Sequence, residues 1–162
     1  MSPFNAFLFL QGLETLSLRM ARHVENALAI ARYLESHAQA SNVRYASLPA
    51  SPYHALTEKY LPTGAGAVFS FDIKGGRAAG QDFIRGVSLW SHLANVGDAK
   101  SLIIHPASTT HRQLDEQELS AAGVGPGTIR LSVGIEDADD LIWDLEQGFT
   151  RARASGSRER AP

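Results

Sequence analysis

The sequence predicts an α+β fold in which helices cover one face of a small, mostly antiparallel sheet. Three observations support this class. Helix-like and strand-like patterns alternate along the 162 residues, the strand-like patterns are few and short, and no internal repeat is present. A chain of this length is one domain by the usual size range, and it can bury a hydrophobic core without disulfides.

The first predicted element is one long amphipathic helix over residues 5–37, because apolar side chains recur there at three- and four-residue steps. Glycine destabilises a helix interior, so we expect this helix to kink or break near Gly12. Its apolar face consists of Leu10, Leu13, Leu16, Met20, Val24, Ala27, Ala31 and Leu34.

Residues 1–10 are unusually apolar for a chain end, where residues are normally polar and mobile. No basic segment precedes them, no small-residue cleavage site follows them, and no apolar run is long enough to span a bilayer. We therefore expect neither a signal peptide nor a membrane segment. Two interpretations of the apolar surface stay open: it packs on this domain, or it covers another domain or subunit.

Four further elements are predicted next: a strand at residues 42–45, a helix at 53–61, a strand at 67–73 and a helix at 77–87. The second strand has the clearest pattern. Phe69, Phe71 and Ile73 alternate with positions of the opposite face, which include Ser70 and Asp72. This alternation is typical of a strand whose two faces have different surroundings.

The second half of the chain continues the alternation with a strand at residues 102–104, a helix at 115–122, a strand at 128–133 and a helix at 137–151. Asp115, followed three residues later by Glu118, is a helix start signal, and Gly123 is a stop signal. In the strand at 128–133, Arg130 shares a face with polar residues, and Ile129 lies on the apolar face.

The composition argues against several functional classes. A net charge of −2 gives no electrostatic reason to expect a nucleic acid partner. The absence of cysteine excludes disulfides, thiolate metal sites and a cysteine nucleophile, and it fits a cytoplasmic protein. His105 and His111 have no acidic or thiol partners, so a structural role in their loop is favoured over a metal site. We expect no metal.

The glycine-rich segment Gly123-Val124-Gly125-Pro126-Gly127 resembles a nucleotide-binding loop only superficially. A dinucleotide loop follows a strand and opens a helix, whereas here a predicted helix precedes the glycines and a strand follows them. The chain also lacks a Gly-x-Ser-x-Gly motif, which argues against a standard hydrolase.

Arg130 is the first candidate for a binding residue. It lies between Ile129 and Leu131 in a predicted strand, where arginine is unusual without a partner. A guanidinium presents a planar pair of donors that matches a carboxylate. For a single residue considered alone, an exposed arginine or one paired with a structural acid is the more common explanation.

Two segments change this balance. The first, residues 93–111, contains the motifs Asn95-Val96-Gly97 and Pro106-Ala107-Ser108-Thr109-Thr110-His111. The second, residues 130–136, reads Arg130-Leu131-Ser132-Val133-Gly134-Ile135-Glu136. Both segments are similar to the carboxylate-binding region of the Cys/Met metabolism family of pyridoxal phosphate (PLP) enzymes. The resemblance extends over nearly the whole chain, and its blocks appear in the family's order. Many members have serine at the position of Asn95, and the asparagine is more similar to the sulfhydrylase branch.

The resemblance implies the C-terminal domain of a fold type I PLP-dependent transferase. Arg130, helped by Asn95 and Thr110, would hold the α-carboxylate of an amino-acid substrate. The implied reaction transfers the aminocarboxypropyl group of O-acetylhomoserine to sulfide or methanethiol. Members that have serine at this position, such as cystathionine γ-synthases and methionine γ-lyases, are a less favoured alternative.

The resemblance also implies a large N-terminal domain that carries the Schiff-base lysine and binds most of the PLP, and no segment of this chain resembles it. Residues 1–40 would be a helical segment that links to that domain, residues 41–151 the small domain, and residues 152–162 a disordered tail. The expected partners are the large domain or another copy of the chain. Alone, the chain is expected to be inactive, and an inert binding module is the alternative of a different class.

Overall fold

The structure, a computed structural model, describes residues 1–158 of the chain. Its elements, in chain order, are the helices and strands α1 (Pro3–Glu14), α2 (Leu16–Ser36), β1 (Ala40–Arg44), α3 (His54–Tyr60), β2 (Val68–Ile73), α4 (Gly76–Gly86), β3 (Leu102–Ile104), a short 3₁₀ helix (Pro106–Ser108), α5 (Glu116–Ala121), β4 (Thr128–Ser132) and α6 (Ala138–Arg158).

The four strands form one antiparallel sheet in the order β1-β2-β4-β3. One residue from each strand lies in a continuous cross-strand row, in which Arg44 pairs with Ser70, Ser70 with Arg130, and Arg130 with Ile104. Residues directly opposite each other on neighbouring strands project to the same face, so the four side chains of this row share one face of the sheet. The predicted antiparallel α+β class is confirmed.

The opposite face of the sheet is buried under α2, α4 and α6 in a single core cluster. Phe69, Phe71 and Ile73 of β2 alternate with less buried neighbours, as the sequence pattern predicts. At the centre, the ring of Phe149 lies 4.7 Å from that of Phe83 and 6.0 Å from that of Phe71. The helices therefore cover one face only, and the other face is open.

Two glycines allow α4 and α6 to pack closely over this core. A Cβ atom on Gly148 would lie 2.9 Å from the ring of Phe83, and one on Gly86 would lie 2.8 Å from the Cα of Gly148. Contacts this short do not occur between real Cβ atoms and their neighbours. Larger residues at either position would separate the helices that seal the sheet.

A long loop over residues 87–101 connects α4 to β3, and a buried carboxylate holds its first part. The Asp144 side chain in α6 accepts hydrogen bonds from the backbone N–H groups of Ser88, Leu89 and Trp90 at 2.7–3.2 Å. The indole N–H of Trp90 donates to the Leu141 carbonyl at 3.1 Å. Three convergent N–H donors satisfy an anion that would otherwise be costly to bury.

The last part of the same loop is held by a second carboxylate. Glu136, which follows β4, accepts hydrogen bonds from both the backbone N–H and the hydroxyl of Ser101 at 2.8 Å. The Ser101 hydroxyl oxygen in turn accepts from the Gly134 N–H at 2.7 Å. Asn26 of α2 donates to the carbonyls of Gly134 and Glu136 at 3.1 and 2.7 Å. Both ends of the loop are thus fixed to the helical layer.

The N-terminal helix differs from the prediction. The predicted break is present, but it lies at Thr15, with φ −107° and ψ 7°, three residues beyond Gly12. Glycine is tolerated inside α1, whereas Thr15 lies where the chain turns and where its side-chain oxygen accepts from the Arg19 guanidinium at 3.3 Å. Only the C-terminal half of the predicted apolar face, including Ala27 and Leu34, is buried.

Helix α1 buries no residue against the rest of the domain. Phe4, Phe9 and Leu10 are each more than 60% exposed. Of the two interpretations of this apolar surface, packing on the same domain is therefore wrong, because the domain buries none of the side chains of α1. No helix within residues 1–158 is long and apolar enough to cross a membrane.

The C-terminal helix also differs from the prediction, because α6 continues to Arg158 where a disordered tail was expected from residue 152. Ala152 is buried in the core, and Arg153 pairs with Glu146 at 2.8 Å. These contacts extend the helical face beyond the last large apolar residue, Phe149. The end of the predicted tail, residues 159–162, lies outside the described residues.

Because Asp144 satisfies three backbone donors at once, replacing it should affect the whole domain. We expect Asp144→Ala to lower the free energy of unfolding by about 3 kcal/mol, since each hydrogen bond to a buried charge contributes on the order of 1.5–3 kcal/mol. Urea denaturation followed by circular dichroism measures this change. Asp140→Ala, an exposed carboxylate on the same helix, is the matched control and should cost less than about 1 kcal/mol. Equal losses in the two variants would contradict this role of Asp144.

Candidate active site

The open face of the sheet forms the floor of a pocket of about 500 Å³. Side chains from all four strands contribute the floor, and the segments before and after β3 and after α5 contribute the walls. Most of the lining is apolar, including Val68, Ile104 and Val124, and polar groups enter it at a few points. A small concave pocket of this composition is typical of a site for a small molecule.

Arg130 lies at the centre of this floor, in the middle of β4. Its flanking strands place Ser70 on one side and Ile104 on the other. The guanidinium donates one hydrogen bond, from Nη2 to the backbone carbonyl of Asn95 at 3.3 Å. Among the ion pairs of the described residues, none involves Arg130. Its remaining donors can therefore bind an incoming carboxylate through two parallel hydrogen bonds.

Asn95 lies beside Arg130, but it contacts the guanidinium through its main chain. Its side-chain oxygen accepts from the Val96 N–H at 2.8 Å, and its amide nitrogen lies 3.4 Å from Asp98. Gly97 follows with a φ of 74°, which glycine adopts without strain. The asparagine thus stabilises the turn. Its exposed amide can bind a ligand once its long, weak hydrogen bond to Asp98 is broken.

Thr110 lines the pocket together with His111. The Thr110 hydroxyl lies 2.8 Å from Nδ1 of His111, which holds both side chains in one orientation. The structure therefore brings Arg130 and Thr110 into one pocket and places Asn95 at its edge. His111 was expected to have only a structural role in the loop, and its position in the pocket lining adds a polar group that could contact a ligand.

His105 supports the wall of the pocket from behind. It is fully buried, and its Nε2 donates to the Pro126 carbonyl at 2.7 Å while Nδ1 lies 2.9 Å from the Ser108 hydroxyl. Burial lowers the pKa of His105 and outweighs the Pro126 carbonyl, which acts in the opposite direction. A neutral ring that joins the segments before β4 and after β3 matches the predicted structural role of this histidine.

Sequence reasoning missed an ion pair at the other side of the pocket. The Arg44 guanidinium donates to both oxygens of Asp72, at 3.0 and 2.6 Å. Asp72 also accepts from the Thr128 hydroxyl at 2.7 Å and from the Asn42 amide at 2.9 Å. The only sequence signal for this cluster was the alternation in β2, which puts Asp72 on the same face as Ser70, opposite the apolar face. Nothing in the sequence indicated that β1 would bring Arg44 to it.

The three lysines of the chain are not among the described residues that line the pocket. Lys59 lies over the Tyr60 ring at 4.9 Å, Lys74 donates to the Ala38 carbonyl at 2.7 Å, and none of the described residues that line the pocket is a lysine. Within residues 1–158, no three His, Asp or Glu side chains are grouped so as to hold a metal ion. The pocket can therefore bind and orient an anionic ligand, but it contains no amine that could bind a carbonyl cofactor.

Comparison with known proteins identifies relatives for almost the whole chain. The sequence profile of the family described as Cys/Met metabolism PLP-dependent enzyme matches residues 1–150. The O-acetyl-L-homoserine sulfhydrylase of Corynebacterium glutamicum is 50% identical over 149 residues, which are 92% of this chain and 34% of that protein. The O-succinylhomoserine sulfhydrylase of Pseudomonas aeruginosa is 47% identical, over 92% of this chain and 37% of that protein.

A solved structure of a similar protein matches almost the whole chain as well. The crystal structure of a candidate O-acetylhomoserine (thiol)-lyase from Campylobacter jejuni, which contains a pyridoxyl-lysine monophosphate, is 46% identical and superposes with a TM-score of 0.84. The match covers 93% of this chain and 36% of the Campylobacter chain. The chain thus spans about a third of the length of the relatives that it matches.

The Asp72 cluster should make stability depend on pH. Burial opposes ionisation of Asp72, but the donors from Arg44, Thr128 and Asn42 outweigh it, so the pKa of this carboxyl lies below its ordinary value of 3.8. A lowered carboxyl pKa adds stability that is present above the unfolded-state pKa and is lost as the pH falls through the folded-state pKa.

We therefore expect Asp72→Asn to be less stable than the wild type at neutral pH and to approach it as the pH falls below about 4. Urea denaturation at several pH values between about 3 and 7 measures the difference. The exposed Asp140→Asn variant should keep the pH dependence of the wild type. A difference between Asp72→Asn and the wild type that does not change with pH would contradict the assignment.

Proposed function

The chain belongs to the Cys/Met metabolism family of PLP-dependent enzymes, and we propose that it is the carboxylate-binding domain of an O-acetylhomoserine sulfhydrylase. The observation that carries the proposal is Arg130, a guanidinium without an acidic partner at the centre of a pocket that is otherwise mostly apolar. The sulfhydrylase from Corynebacterium, half identical over almost all of this chain, supports the choice of substrate.

In this proposal Arg130 binds the α-carboxylate of O-acetylhomoserine through two parallel hydrogen bonds. Thr110 contributes a hydroxyl from the pocket wall, and Asn95 contributes its amide after its long hydrogen bond to Asp98 opens. Apolar residues, including Val68, Ile104 and Val124, line the pocket around Arg130. The three polar residues orient the substrate and carry no proton transfer.

The cofactor of the family, PLP, supplies an electron sink for chemistry at the substrate carbons when it is bound. The described residues of the pocket include no lysine, so we place the cofactor-binding lysine in the part of the relatives' length that this chain does not span. Sulfide or methanethiol would be the thiol donor. Alone, the chain would then be a carboxylate-binding module without catalysis of its own.

We further propose that the exposed surface of α1 is covered in the assembled enzyme by the cofactor-binding domain or by another copy of the chain. This surface consists of Phe4, Phe7, Leu8, Phe9, Leu10 and Leu13, all of them more than half exposed. An apolar helix surface of this kind is unfavourable in water and is typical of an interface. Since α1 contributes nothing to the core of its own domain, contact with a partner is the simplest reason for its composition.

Arg130→Ala tests the carboxylate assignment. We expect the affinity of the chain for O-acetylhomoserine to fall by about 2–3 kcal/mol, because hydrogen bonds between a guanidinium and a carboxylate are lost. Nuclear magnetic resonance titration measures the dissociation constant. Arg112→Ala, which removes an exposed arginine directly after the pocket-lining residues Thr110 and His111, is the matched control and should bind like the wild type. Unchanged affinity in Arg130→Ala would remove the basis of the proposal.

Treatment with PLP tests whether the chain binds the cofactor covalently on its own. After incubation with PLP and reduction with borohydride, we expect the intact mass to show no stoichiometric adduct, because Lys59, Lys74 and Lys100 all lie outside the pocket lining. A full-length relative treated in parallel should gain one adduct. A single stoichiometric adduct on one lysine of this chain would show instead that the chain carries its own cofactor site.

A further inference from the structure

The cross-strand row on the pocket floor contains two guanidinium groups. Arg44 on β1 and Arg130 on β4 are separated by Ser70 on β2, and both arginines line the same pocket. Neighbouring strands lie about 4.8 Å apart, so the two backbones are roughly 10 Å apart across the sheet. A substrate whose carboxylate binds Arg130 and whose chain extends across Ser70 would bring its far end to Arg44.

The two arginines differ in electrostatic state. Arg130 has no acidic partner among the described residues, whereas both terminal nitrogens of Arg44 donate to Asp72, which neutralises its charge. The Asp72 carboxylate is itself held by Thr128 and Asn42, and only 18% of its side chain is exposed. The Arg44 end of the pocket therefore presents a neutralised pair, and the Arg130 end presents one positive charge.

We propose that Asp72 is a specificity-determining residue that limits the pocket to substrates with a single carboxylate. The inference rests on the proposed function, because it assumes that Arg130 binds the α-carboxylate. A homoserine ester with a neutral acyl group, such as acetyl, meets no unfavourable charge near Arg44. An ester with an acidic acyl group, such as succinyl, would bring a second carboxylate close to Asp72, where the charge of Arg44 is already neutralised.

The alternative is that Arg44 and Asp72 only join β1 to β2. Cross-strand ion pairs stabilise sheets in this way, and a purely structural pair would affect both kinds of ester equally. The two explanations therefore differ in one measurable quantity, which is the ratio of the affinities for the acidic and the neutral ester.

The test uses the full chain and titrates it, by nuclear magnetic resonance, with O-acetylhomoserine and O-succinylhomoserine as probes. We expect Asp72→Asn to free Arg44 and to raise the affinity for the succinyl ester, relative to the acetyl ester, about tenfold. Arg44→Gln should change this ratio in the opposite direction, because it leaves Asp72 without its cation. The double variant, with neutral amides at both positions, should lie between the two single variants.

Circular dichroism establishes that each variant is folded. If Asp72→Asn is not, Arg44→Gln carries the test, since a lower succinyl-to-acetyl ratio supports the proposal and an unchanged ratio overturns it. Equal ratios in all folded variants overturn the role of Asp72. If Arg130→Ala still weakens both esters in that case, the proposed function stands without the inference. If Arg130→Ala weakens neither, or the wild type binds neither ester, both the proposed function and the inference fail.

Discussion

Burial of one face of the sheet is the constraint on which the site depends. The core formed by α2, α4 and α6 takes every second side chain of β2 and β4, and Gly86 and Gly148 let the two helices lie close enough to complete it. The strand period of two residues then places the intervening side chains on the other face. Arg130 is thus held on a rigid strand, and its position is set by the apolar residues on either side of it.

Two carboxylates, one of them buried, fix the ends of the loop beside Arg130. Asp144 holds residues 88–90, and Glu136 holds Ser101, so both ends of the loop are fixed to the helical layer. The intervening residues 92–97 are exposed. This division gives a segment whose ends are positioned by the fold and whose centre can adjust to a ligand, which is a common arrangement at binding sites.

Local patterns were sufficient to predict most of the elements. The alternation in β2, the short apolar β3 and the Asp115–Glu118 capping box at α5 all appear in the structure close to their predicted bounds. Each of these signals depends on residues a few positions apart. The break at Thr15 was placed too early because glycine destabilises a helix interior. The end of α6 was also placed too early, because the small and polar residues from Ala152 onward are typical of a disordered tail, although Ala152 itself is buried.

Features that depend on distant residues were not predictable in this way. The Arg44–Asp72 pair joins side chains 28 positions apart and needs the irregular register of β1 against β2, where Asn42 has a φ of 49°. Asn95 and Thr110 were named for the candidate site from a family resemblance, and Arg130 from its place in a predicted strand together with that resemblance. Their placement in one pocket depends on the sheet order, and the sequence did not indicate that Asn95 would meet Arg130 through its carbonyl and not through its amide.

The contact between Arg130 and the Asn95 carbonyl attaches the loop to the same group that is proposed to bind the ligand. It uses one N–H of the guanidinium and leaves the others free, so a carboxylate can bind through two parallel hydrogen bonds beside the loop contact. The guanidinium would then hold the ligand and the loop at the same time. Occupancy of the pocket and order in the loop would therefore be thermodynamically coupled.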